Sequence, residues 1–96
     1  MITYDEGKRL RNLEVHGFDF IGVDVVFEGN TVTREDRRAA YGEPRLQTLG
    51  LWREVVVFVV HTPRGDDDHI ISIRRADRHE QRTYWKNLSR QGIGPD

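Results

Sequence analysis

Val55-Val56-Val57-Phe58-Val59-Val60 is the stretch on which the fold turns. It holds six consecutive apolar residues, five of them β-branched. A strand with one wet face alternates polar and apolar side chains. A strand apolar on both parities belongs in the middle of a sheet, covered on both faces. The run falls far short of the ~18 residues that would suggest a membrane span. Just upstream, residues 45–51 read as a strand, with a break at Leu51-Trp52-Arg53. Downstream, Pro63-Arg64-Gly65-Asp66-Asp67-Asp68 is a turn cluster. Residues 69–74 then form a third strand, with Ile71 and Ile73 on one face and Ser72 and Arg74 on the other. Connections this short favour an antiparallel meander.

The flanks read as helices. Asp77 caps a last helix, with Glu80 at the capping-box spacing. In that helix Tyr84 and Leu88 face the core and Trp85 flanks them. Arg78, Arg82, Lys86 and Arg90 recur every four residues and so line one side. Gly92 and Pro95 mark its frayed end. At the start, Asp5 caps a helix over residues 6–15, with Leu10 and Leu13 inward and a stop at His16-Gly17. Residues 18–27 fit two patterns: Phe20, Val23 and Phe27 suit a helix, while Val23, Val25 and Phe27 suit a strand. Gly29-Asn30 is a turn, Thr31-Val32-Thr33 a short strand, and residues 34–42 a polar connection. The order of elements is α+β.

Composition narrows the function. The chain has 96 residues, the length of one domain spanning 1–96. Charged residues make up 32%, above the usual ~25%, so the surface is heavily charged. There is no Cys, hence no disulfide framework, thiolate zinc site or cysteine nucleophile. The first residues lack the basic and apolar regions of a signal peptide, so the protein is read as cytoplasmic, with no membrane association. P-loop, GxGxxG and HExxH motifs are absent, and no cofactor is expected. Net charge is −1, but it is unevenly spread. Residues 12–33 carry Glu14, Asp19, Asp24 and Glu28 and no Lys or Arg. Residues 69–90 carry Arg74, Arg75, Arg78, Arg82, Lys86 and Arg90 against Asp77 and Glu80. Such a patch attracts phosphates through its local field, and arginine's planar fork suits them. A divalent cation at Asp66-Asp67-Asp68 is disfavoured, since three consecutive Asp cannot all point inward on a strand and the spacing is not that of an EF-hand.

Six pieces of the chain, in order over some eighty residues, resemble the BrnT family of ribonuclease toxins from type II toxin–antitoxin modules. Tyr4-Asp5, Lys8, Asn12 and His16-Gly17 resemble W-D-x-x-K-x-x-x-N-x-x-x-H-G. Residues 20–27 resemble the family's short second helix, which selects the helical reading of that segment. Gly42-Glu43-Pro44-Arg45 resembles G-E-x-R, and Thr62-Pro63-Arg64 resembles T-x-R. Ile70-Ile71-Ser72-Ile73-Arg74-Arg75-Ala76 resembles I-I-S-A-R-x-A, and Glu80 with Tyr84 resembles E-x-x-x-Y. Tyr4 replaces the usual Trp, Glu28 the usual Asp, and His69 an Arg that commonly precedes I-I-S. The segments read above amount to two N-terminal helices, a small antiparallel sheet and a C-terminal helix, and the resemblance implies that this fold is RelE-like. It also implies an RNA substrate, inhibited translation, and neutralisation by a BrnA-like ribbon-helix-helix antitoxin, with DNA contacted only through that antitoxin.

Metal-free RNA cleavage uses the 2′-OH as nucleophile. It needs a base for that proton, an acid for the 5′-oxygen, and cations for the charge on phosphorus. The resemblance places Arg74, Arg64 and Tyr84 near RNA, with Arg74 the leading candidate. Imidazole is the side chain whose intrinsic pKa lies nearest neutrality, so His61 is a candidate acid or base, although a strand-end His bonded to its surroundings is the plainer reading. Glu43 could take a proton, or simply pair with Arg45. Lys8 reads as a phosphate-facing cation under the resemblance and as a helix-surface charge without it. Arg45, Arg78, Arg82 and Lys86 are candidate RNA contacts, and no metal ligand is expected. One difficulty is internal to this set: if residues 63–68 close a hairpin, Arg64 and Arg74 sit at its opposite ends. The competing function is a non-catalytic nucleic-acid- or protein-binding module on the same fold, which would need charge but not this combination of residues.

Overall fold

The computed structural model describes residues 1–38 and 42–92. Its elements are β1 (Ile2–Tyr4), α1 (Glu6–His16), α2 (Asp24–Glu28), β2 (Val32–Glu35), β3 (Leu46–Trp52), β4 (Val55–Arg64), β5 (Asp67–Arg75) and α3 (Arg78–Arg90). The five strands form one sheet in the order β1-β5-β4-β3-β2. The apolar run thus lies in the middle strand, as its lack of alternation requires. Val57 and Val59 face one cluster with Phe20, Val23, Val26, Ile70 and Ile73. Val56 and Phe58 face the other, with Leu49, Ala76, Tyr84 and Leu88. The segment leading into α2 covers the first face and α3 the second. Burying each of these large side chains contributes roughly 1.5–3 kcal/mol. Gly50 is required by the first face, because a Cβ there would meet Val26 Cγ1 at 2.6 Å.

The sheet is mixed rather than antiparallel. β2, β3, β4 and β5 form the expected antiparallel series, but β1 pairs parallel with β5, Thr3 lying beside His69. Three residues are too few for a periodic signal, so β1 was not legible. The expected turn over residues 63–68 shrinks to Gly65-Asp66, with β4 running on to Arg64 and β5 starting at Asp67. Gly65 supplies the positive φ of 62° that this tight turn needs. The alternation expected at Ile71 and Ile73 fails. Val60 pairs with Ser72 and His61 with Ile70, which leaves Ile71 as the extra residue of a bulge and puts Ile70 and Ile73 in the same core cluster. The short strand expected at residues 31–33 is β2 and takes in Arg34 and Glu35. Residues 39–41 of the expected connection, and Pro95, lie outside the described residues.

Helix ends match their local signals. Asp5 accepts from the Lys8 backbone N–H, and Gly17 adopts the left-handed conformation at φ 78°. Asp77 and Glu80 form a complete capping box at α3. The inward face of α1 is not the one expected. Leu10 is 53% exposed and Leu13 40%, while the buried residue is Asn12. β1 reaches only as far as Ile70 of β5, and α1 continues beyond it. There the Asn12 amide donates to the Ile73 carbonyl at 2.9 Å and accepts the Ile73 N–H at 3.0 Å. It also donates to the Phe18 carbonyl at 2.8 Å. One side chain thus closes the sheet edge that β1 leaves open. Losing it would strand buried backbone groups, at roughly 1–3 kcal/mol each. No helix among the described residues is long and apolar enough to cross a membrane.

Candidate active site

The tip of the β4–β5 hairpin gathers charged side chains from four segments. Arg64 ends β4 opposite Asp67, and His69 on β5 lies opposite Thr62. Cross-strand neighbours project to the same face, so Arg64 and His69 share one side of the tip. Arg64 donates to both carboxylate oxygens of Glu43, at 3.0 and 3.3 Å. That hydrogen bond holds the Glu43 carboxyl below its ordinary range, against a smaller opposing effect of burial; the charges of Arg64, His69 and Arg45 act in the same direction. The Arg64 guanidinium is raised by Glu43. His69 Nδ1 lies 2.9 Å from Thr3 Oγ1 on β1. Burial pushes the His69 imidazole below its ordinary value, and the charges of Arg64 and then Lys8 push it the same way; Glu43 and Asp5 oppose them. Lys8, in the first turn of α1, is exposed.

The other end of the hairpin is built differently. Arg74 lies opposite Phe58, so Arg64 and Arg74 are roughly 20 Å apart along the hairpin at about 3.3 Å per residue. Arg74 donates to both oxygens of Glu80, at 2.8 and 2.9 Å, and its guanidinium carbon sits 4.1 Å from the centre of the Phe58 ring. Glu80 simultaneously closes the capping box of α3 by accepting the Asp77 N–H. Tyr84 is 1% exposed, and its hydroxyl donates to the Asn30 carbonyl at 2.9 Å. Burial raises the pKa of this phenol, which makes it a poorer proton donor. Arg78, Arg82 and Lys86 stand exposed on α3. Val32, Arg34, Gln47, Leu49, Phe58, His79 and Thr83 line a cleft of about 170 Å³ with the capping box.

His61 is inside the protein. It is 4% exposed, with Nε2 at 2.7 Å from Thr48 Oγ1 and Nδ1 at 3.0 Å from Asp68 Oδ1. The Phe27 ring meets it edge-on, with centroids 5.0 Å apart. Both ring nitrogens are therefore engaged and shielded. The Asp triplet is divided among different tasks: Asp68 holds His61, Asp67 pairs with the N-terminal amine at 3.5 Å, and Asp66 is exposed in the turn. Among the described residues no group of three His, Asp or Glu side chains is arranged to hold a metal ion. Arg45 is half-buried just before β3.

Of the residues singled out in the sequence, Glu43 and Arg64 come together, with Arg45's charge reaching Glu43 and that of Lys8 reaching His69. Arg74 and Tyr84 lie at the α3 end, and His61 lies under the sheet face. Two residues take roles that their motifs do not announce. His69 stood out only as a departure from a motif, because its placement depends on the unseen strand β1. Asn12 carried a signal that was available: a polar residue between Leu10 and Leu13 on a short amphipathic helix.

The tip thus carries exposed charges of both signs, Arg64 against Glu43 with Asp66 and Asp67 of the turn, beside one imidazole. A search of curated proteins finds no match. The family model for the ribonuclease toxin BrnT of type II toxin–antitoxin systems matches residues 4–80, from β1 through the glutamate that caps α3. Because this match spans most of the chain, the chain belongs to the BrnT family of ribonuclease toxins.

Proposed function

We propose that the chain cleaves RNA without a metal ion, at the tip of the β4–β5 hairpin, and that its fold is RelE-like. The observation that carries the reading is the Arg64–Glu43 pair beside Lys8 and His69. Attack of a 2′-OH on the adjacent phosphate spreads negative charge over the non-bridging oxygens. Arg64 and Lys8 stabilise that charge, and Glu43 fixes the guanidinium so that little reorganisation is needed as it develops. At the tip Arg64 occupies the Glu43 carboxylate and the N-terminal amine pairs with that of Asp67, which leaves both poorly suited to a Mg²⁺ ion, for which carboxylate oxygens are preferred ligands. Cleavage of cellular RNA in the cytoplasm would inhibit translation.

A toxin of a type II module implies an antitoxin. We assign this chain a ribbon-helix-helix partner whose acidic segment covers basic surface and competes with RNA. The exposed row of Arg78, Arg82 and Lys86 on α3 is the candidate rim for that contact, acting mainly on association rate. The same row is what a non-catalytic binding module would use. Purified protein in excess EDTA decides between the readings. Degradation of RNA to fragments ending in 2′,3′-cyclic phosphate is expected. Activity that disappears with EDTA and returns with Mg²⁺ would refute the metal-free mechanism, and binding without cleavage in either condition would favour the module.

A further inference from the structure

We propose that His69 is the general base of this ribonuclease, accepting the 2′-OH proton on Nε2 while Thr3 holds the ring through Nδ1. The proposal rests on the tip being the RNA site. The geometry that carries it is the contrast between the two strand-borne histidines. His61 has both nitrogens engaged and is 4% exposed, so no substrate hydroxyl reaches it. His69 is half-buried at the tip, and among the described residues its only hydrogen-bond partner is Thr3, at 2.9 Å from Nδ1. A ring that donates Nδ1–H to Thr3 Oγ1 presents a lone pair on Nε2, the tautomer a base requires.

The surroundings keep the ring in its neutral form. Lys8 and Asp5 face it from the start of α1, Glu43 from the segment before β3, and Arg64 from β4. Burial and the charges of Arg64 and Lys8 disfavour protonation; Glu43 and Asp5 favour it and are outweighed, so the imidazole titrates below its ordinary value of 6.5. At neutral pH it is therefore an acceptor rather than a third cation. In the reaction the O2′–P bond forms as the O2′ proton passes to Nε2. The P–O5′ bond breaks, and the departing O5′ takes a proton from solvent, which reaches this open end of the sheet. The products are a 2′,3′-cyclic phosphate and a 5′-hydroxyl, and the imidazolium returns its proton to solvent.

The test is single-turnover cleavage of a defined RNA oligonucleotide from pH 4.5 to 8.5. The assay uses the wild type and the variants His69→Gln, His69→Arg and Thr3→Val, with NMR titration of His69 in the wild type. The wild-type rate should fall in acid, with a midpoint below 6.5 that matches the His69 titration. His69→Gln should lose about 100-fold and the acid limb together, as for removal of a general base. His69→Arg should be equally slow, because a cation cannot accept the proton. Thr3→Val should shift the limb and lower kcat with KM unchanged. If the wild type cleaves and His69→Arg is as fast, or the limb survives in His69→Gln, the base assignment falls while the nuclease reading stands. A wild type that cleaves at no pH overturns both. Should His69→Gln fail to fold, a limb whose midpoint differs from the His69 titration, or is unmoved in Thr3→Val, refutes the proposal by itself.

Discussion

Two arginine–glutamate pairs bracket the β4–β5 hairpin, and their chemistry is nearly the same on paper. Arg64 grips Glu43 at the tip, and Arg74 grips Glu80 at the α3 end, each through two hydrogen bonds. Their surroundings differ. The side chains of the tip pair are 50% and 39% exposed; those of the α3 pair are 36% and 15% exposed. Arg74 also stacks on Phe58, and Glu80 caps the helix, so that pair fastens α3 to the sheet. Arg64 and Glu43 fasten little, and they share their field with Lys8 and His69. Exposed pairs of this kind contribute roughly 0–1 kcal/mol to stability. A pair that adds little to the fold and stands beside an available imidazole is better placed for chemistry than one committed to packing. Arg74 was the leading candidate in the sequence because a solvent-face arginine is cheap to keep. In the structure its guanidinium also stacks on Phe58, and its partner Glu80 caps α3.

The largest effect expected from this contrast is on rate. Arg64→Ala should slow RNA cleavage by about 100-fold or more, as for loss of a preorganised transition-state cation. Its thermal melt should stay within about 0.5 kcal/mol of wild type, as for other surface changes. Single-turnover kinetics alongside a melting curve measure both, and an undiminished rate would move the site away from the tip.

Arg74→Ala should behave the opposite way. Losing the pair and the stacking on Phe58 should cost about 1–2 kcal/mol. In a domain of this size that lowers Tm by roughly 5–15 °C, while cleavage at 25 °C stays near the wild-type rate. A 100-fold loss of cleavage with an unchanged melt would break the comparison and return the chemistry to the α3 end.

The smallest effect is in acid. Hydrogen bonding from Arg74 is the main cause that holds Glu80 below its ordinary 4.5. A carboxyl whose folded pKa is depressed stabilises the protein fully above its unfolded value, and the contribution is lost as pH falls through the folded value. The melt of the wild type should therefore weaken below about pH 4.5, by up to ~1 kcal/mol from this group. Glu80→Gln should flatten that slope. Glu43 is depressed as well, but at an exposed site, so Glu43→Gln should leave the slope nearly as it was. Equal flattening by both substitutions would erase the distinction between the pairs in stability.

Local chemistry determined much of this protein without help. Asp5, Gly17 and the Asp77–Glu80 box act over a single helical turn, so their spacing alone announces α1 and α3. The unbroken apolar run from Val55 can be buried only from both sides, which makes β4 central wherever its neighbours come from. Motif order along the chain was enough to indicate the family.

Tertiary structure decided the rest, because those features depend on residues far apart in sequence meeting at a fixed register. β1 exists only because β5 offers it an edge, and Asn12 is buried only because β1 stops at Tyr4. The bulge at Ile71 shifts which isoleucines face the core, since one extra residue reverses a period of two. Above all, sequence spacing could not say that Arg64 would find Glu43, 21 residues away, or that Thr3 would meet His69, 66 residues away. Composition supplies the charges; the strand register selects which of them share a field.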